Sequence, residues 1–137
     1  MRISEATAPA PGWLRELADA RSSYQESFGW PVSVQVGARH LVVALGRVLN
    51  AVSMPAGLGA RVLDRLTGPV PIFASPDGTR WTFLVGPGTP ANSTISGDVE
   101  LAPPGSHVAI PVNPSERWVE PPRRALPPAR SVLALVY

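Results

Sequence analysis

The sequence predicts an α+β domain, a mixed and largely antiparallel sheet with two or three packed helices. Three observations carry that expectation. A helix-periodic segment opens the domain and leads into a strand of alternating polarity. A polar turn, Pro76-Asp77-Gly78, sits between two apolar runs and reads as a β-hairpin. A chain of 137 residues that is 45% hydrophobic fits one compact domain with a single core.

The elements follow in chain order. Residues 1–11 form a Pro/Ala-rich tail, and residues 12–137 form the single domain. A helix is predicted from about Gly12 to Phe28, with Trp13, Leu14, Leu17, Ala18, Tyr24 and Phe28 on one face. Gly29-Trp30-Pro31 ends it and turns the chain into the strand Val32–Val36. His40–Leu45 and Val48–Met54 are β-rich and divided at Gly46-Arg47. Pro55-Ala56-Gly57 leads into a second helix over about Leu58–Leu66.

Pro69–Ala74 and Trp81–Val85 are the arms of the hairpin, and Gly86–Ser96 is a loop rich in Gly, Pro, Asn and Ser. Val99–Leu101 and His107–Val112 are further short strands, and Trp118 lies near a strand end in an irregular stretch. The closing segment is ambiguous. Pro128 suits the first turn of a helix, whereas the apolar run Val132–Tyr137 suits a strand.

Composition excludes several classes. With no cysteine the chain has no disulfide, thiolate zinc site or cysteine nucleophile. The first eleven residues lack the apolar core of a signal peptide. Arg47, Asn50 and Pro55 interrupt the least polar stretch, Leu41–Ala60, so no membrane span is expected. A cytoplasmic protein with no membrane partner fits these features. All 12 basic residues other than histidine are arginine, and the net charge is only +2. Lysine-free chains rich in Ala, Pro, Gly and Val reflect a GC-rich genome. Arginine forks also suit phosphate and guanine, but a small excess spread along the chain is no basic patch.

The order of short motifs carries more. Phe28-Gly29-Trp30-Pro31-Val32 is followed by Asn50-Ala51-Val52-Ser53-Met54-Pro55, then Ala74-Ser75-Pro76 before Thr79-Arg80-Trp81. His107-Val108-Ala109-Ile110-Pro111 and Arg117-Trp118 complete the series. In this order and spacing the chain, over roughly residues 12–137, resembles the N-terminal domain of bifunctional DNA primase/polymerases in the archaeo-eukaryotic primase superfamily. In particular it looks like the short, divergent forms of high-GC actinobacteria.

The departures from that family decide what the resemblance implies. Active members carry an Asp-x-Asp pair on a strand before a proline, and the pair holds two divalent metals. The matching residues here are Val52-Ser53-Met54-Pro55, and neither valine nor methionine supplies the oxygen that Mg²⁺ demands. The family's histidine after the hairpin turn is replaced by Arg80-Trp81. Glu100 matches the family's later acidic residue, and Asp98 with Glu100 would share a strand face as a lesser candidate for a metal pair, against the reading that edge charges block aggregation. The resemblance therefore implies a catalytically degenerate module rather than an enzyme, with no metal or other cofactor.

The candidate binding residues for DNA or a nucleotide are Arg80, Trp81, Arg117 and Trp118, on the former active-site face. Arginines would meet phosphate and tryptophans would stack on bases. The alternative is a protein-interaction or scaffold domain, self-associating through apolar surface near Leu58–Leu66 or Val132–Tyr137. The remaining signals are weak. His40 and His107 have no metal-ligand spacing, Gly86-Pro87-Gly88-Thr89 is no P-loop, and Arg123-Arg124 is too short for a nucleic-acid tract. Asn92-Ser93-Thr94 matches a glycosylation sequon without other signs of secretion.

Overall fold

Gly29 sets the first boundary. It adopts φ +71° in the left-handed region, and its N–H bonds to Gln25 O at 3.0 Å, closing helix α1 (Gly12–Phe28) as the sequence predicts. The structure is a computed structural model and describes residues 11–87, 98–103, 105–112 and 115–136. Residues 1–10 of the tail, most of the Gly/Pro-rich loop with its sequon, and Tyr137 lie outside the described residues.

After α1 the chain forms β1 (Val32–Gln35), β2 (His40–Ala44), β3 (Asn50–Pro55), α2 (Ala56–Arg65), β4 (Ile72–Ala74) and β5 (Arg80–Val85). Then come β6 (Glu100–Leu101), β7 (His107–Ile110), β8 (Trp118–Glu120) and α3 (Ala129–Leu133). The α+β class holds. The strands divide between two sheets, β1-β2-β7 and β6-β3-β5-β4-β8, and every strand pair among the described residues is antiparallel.

The five-stranded sheet is the middle layer because its strands are apolar on both faces. Val52, Met54, Ile72, Phe83 and Val85 point to one side, where Val62 of α2 and Ala129 and Val132 of α3 complete a core. Ala51, Phe73 and Leu84 point to the other side, into a core shared with Leu17 and Tyr24 of α1, Trp30, and Val32, Leu41, Val43 and Ile110 of the smaller sheet. Each fully buried side chain of the Val, Leu or Phe type contributes about 1.5–3 kcal/mol. Period-two alternation thus feeds two cores from one sheet.

Several details differ from the sequence reading. Ala18 is exposed, and Ala20 packs against the core in its place. Helix α2 starts at Ala56, directly after Pro55, rather than near Leu58. The closing segment is helical. Ser131 N–H bonds to Pro128 O at 3.0 Å, and the burial of Ala129 and Val132 follows a three-residue spacing that a strand would not give. No helix among the described residues is long and apolar enough to cross a membrane.

Candidate functional site

The β4–β5 hairpin positions the residues singled out by the sequence. Its turn is a closed hydrogen-bond network. Asp77 Oδ1 accepts from Ser75 Oγ at 2.6 Å, Thr79 Oγ1 at 2.8 Å and Thr79 N–H at 3.1 Å. Three donors stabilise the carboxylate form, led by Ser75, and lower the Asp77 pKa from 3.8 to about 2. Gly78 takes φ +76°, which explains the glycine after aspartate in this turn. Ser75 Oγ also accepts from Arg80 N–H at 3.1 Å, so the turn hands its rigidity to the first residue of β5.

Arg80 reaches across the sheet. Its Nε donates to Ser53 Oγ at 3.1 Å, its Nη2 donates to Asp98 O at 2.6 Å, and the same Nη2 lies 3.6 Å from Glu100 Oε1. Ser53 and Glu100 are direct cross-strand partners, so β5, β3 and β6 are tied together by this guanidinium. The Arg80 side chain keeps 33% of its surface exposed and Glu100 keeps 71%, which leaves the ion pair open to solvent and weak.

Arg117 stands at the same end of the sheet. Ala74 N–H bonds to Arg117 O at 2.9 Å, and Arg117 Nε donates back to Ala74 O at 2.9 Å. Arg80 O accepts from Ser75 N–H at 2.8 Å, so the backbones of both arginines flank the dipeptide Ala74-Ser75. Each guanidinium is anchored through Nε, a geometry that holds the terminal nitrogens in place.

The two tryptophans are taken up by packing. Trp81 alternates with Arg80 and faces α2, where an ideal Cβ on Gly59 would lie 2.8 Å from its ring atom Cε3. Trp118 belongs to an aromatic cluster between the sheet and α1. Its ring meets Phe73 edge-on at 5.4 Å and lies 6.4 Å from both Tyr24 and Trp30, and its Nε1 donates to Val112 O at 3.0 Å. Tyr24 stacks on Trp30 at 5.5 Å, and its hydroxyl donates to Pro111 O at 2.6 Å. Both tryptophans are half-buried packing residues. Strand alternation therefore parts Trp81 from Arg80, with which the sequence placed it on a single face, and the cluster occupies Trp118.

The same alternation governs Val52 and Met54, where the sequence resemblance would put a metal pair. Val52 and Met54 are fully buried on the α2/α3 side, opposite Ser53, Arg80 and Glu100. A pair of divalent ions does not fit there, since the side chains carry no oxygen and the face is closed by helices. Glu100 opens β6, while Asp98 precedes it and meets Arg80 through its backbone carbonyl. Among the described residues no group of three or more His, Cys, Asp or Glu could hold a metal ion. His40 is half-buried opposite Gln35, and His107 is exposed opposite Ala44. Arg124, in the linker after β8, donates from Nη2 to Glu26 O at 3.3 Å near the end of α1. Ser53 is the site residue that sequence reasoning passed over; its place between the two apolar positions of β3 was the available signal.

No protein-family model, curated protein or solved structure matches the chain.

Proposed function

We propose that this domain is a non-catalytic, primase/polymerase-like module that binds a phosphate-bearing ligand, DNA or a nucleotide, in the cytoplasm. The observation that supports it is that Arg80 and Arg117, whose backbones flank Ala74-Ser75 at the hairpin end, each have a guanidinium anchored through Nε, on Ser53 Oγ and on Ala74 O. Anchoring an arginine before the ligand arrives lowers the ordering cost of each phosphate contact. The contact surface is the hairpin end of the sheet. The side chains at 52 and 54, buried under α2 and α3, take no part in it.

The arginines meet phosphate oxygens, and the tryptophans serve packing. Backbone contact without base stacking implies modest affinity and little sequence preference. The test is fluorescence anisotropy with a labelled single-stranded oligonucleotide at low salt, using the intact chain, R80A and R117A. Each variant is expected to bind several-fold more weakly with its fold retained by circular dichroism. Unchanged affinity in both variants would overturn the reading. Absence of binding by the intact chain would leave the protein-interaction alternative in its place.

A further inference from the structure

At the opposite end of β3 from Arg80, a second feature has no role in that reading. The loop Leu45–Leu49 and the turn at Gly105 lie side by side and border an open cleft of about 770 Å³. Its walls include Pro31, Leu45 and Val48, and Arg47 is the one charged side chain lining it among the described residues. Gly46 and Gly105 take φ +115° and +84°, so the chain turns on both sides without side chains that would fill the space. Backbone bonds hold the walls: Leu45 N–H to Ser106 O at 2.9 Å, Gly105 N–H to Leu45 O at 3.0 Å, and Gly46 N–H to Leu49 O at 2.8 Å. The cleft is therefore preformed.

Small-molecule sites typically have volumes of ~300–1,000 Å³, apolar walls and a few polar groups that set orientation. Here the polar contribution is a single exposed cation, and Val48 keeps 41% of its surface exposed beside it. We propose that this cleft binds a small amphiphilic anion, with its apolar body against Pro31, Leu45 and Val48 and its acidic head on Arg47. A ligand with one negative charge and an apolar tail satisfies both parts of the lining. A neutral ligand would leave the arginine unused, and a polyanion would find no second cation among the described residues of the lining. Residues of the hairpin end do not line the cleft, so this site stands or falls independently of phosphate binding at Arg80 and Arg117.

The probe is octanoate, with 1-octanol as the neutral control of equal chain length, titrated into the ¹⁵N-labelled full chain and followed by amide shifts. Octanoate is expected to move the amides of Gly46, Arg47, Val48 and Gly105 and to bind at least fivefold more tightly than octanol. R47Q should bring octanoate down to the level of octanol while leaving octanol unchanged. V48E, at an exposed position that tolerates charge, should weaken octanoate about tenfold with the spectrum otherwise intact. Shifts dispersed away from the cleft, equal affinity for the two probes in the intact chain, or a difference that survives R47Q would each overturn the proposal.

Discussion

Arg80 and Trp81 are consecutive in β5 but serve opposite sides of the sheet: the guanidinium bridges Ser53 and the Asp98 carbonyl, while the indole ring lies on Gly59 of α2. The contact with Gly59 is close enough to test. An alanine Cβ there would sit 2.8 Å from Trp81 Cε3 and 3.1 Å from Trp81 Cβ, so helix or ring must shift. Overpacking of this kind costs about 1–3 kcal/mol, against a gain of about 1 kcal/mol for alanine over glycine in a helix. Gly59→Ala is expected to lower stability in urea unfolding, and Trp81→Leu in the same chain should recover part of the loss. A more stable single variant would show that the ring does not rest on the glycine.

The hairpin turn gives a pH prediction. Asp77 titrates at about 2 because Ser75 and Thr79 hold its carboxylate form. A lowered folded-state pKa contributes stability above the unfolded value and loses it as pH falls toward 2. Ser75→Ala removes the largest contribution, so the Asp77 carboxyl should titrate closer to 3.8 by NMR. A value that stays at about 2 in the variant would assign the shift to Thr79 alone.

Tyr24 gives the alkaline counterpart. Burial raises its phenol pKa well above the ordinary value of 10.0, and the hydroxyl donates to Pro111 O. A raised folded-state pKa contributes stability that is full below the unfolded value and is lost as pH climbs through the folded one. The domain should lose stability above pH ~10. Tyr24→Phe should flatten that decline while costing about 1 kcal/mol at neutral pH for the lost hydrogen bond. Urea titrations at pH 8 and pH 10.5 measure both effects. An equally steep decline in the variant would place its origin elsewhere.

Glu100 predicts the sign of an electrostatic change at the proposed binding end. Its carboxylate lies 3.6 Å from Arg80 Nη2 and offsets that cation. Glu100→Gln should raise oligonucleotide affinity by no more than about fivefold, as befits a solvent-exposed pair. Weaker binding by the variant would mean that Glu100 orients Arg80 rather than competing for it.

Much of the fold is legible in the sequence, and the reasons are local. Helix α1 is bounded by Pro11 and Gly29, and the hairpin is announced by Asp77-Gly78, because caps and turns depend on few residues. The closing segment is not legible, since Val132–Tyr137 is apolar at either period; burial of Ala129 and Val132 against the sheet decides for a helix. Nor does local pattern reveal that β1, β2 and β7 form a sheet of their own, because pairing Leu41 with Ile110 is a long-range event.

The candidate site was partly legible. Adjacent residues on a strand face opposite ways, so Arg80-Trp81 already contained the separation of arginine from tryptophan. The cradle of Ser53, Asp98 O and Glu100 depends on strand order β6-β3-β5, which spacing along the chain does not carry. The same holds for the cleft, where Pro31, the Leu45–Leu49 loop and Gly105 meet only in three dimensions.

The central claim, phosphate contact through Arg80 and Arg117, is tested most directly by the salt dependence of single-stranded oligonucleotide affinity. Each phosphate neutralised contributes about −0.7 to the slope of log K against log salt. The account predicts that R80A/R117A flattens the slope of the intact chain by roughly 1.4, the sum of the two contacts. An identical slope in the intact chain and the double variant would contradict it.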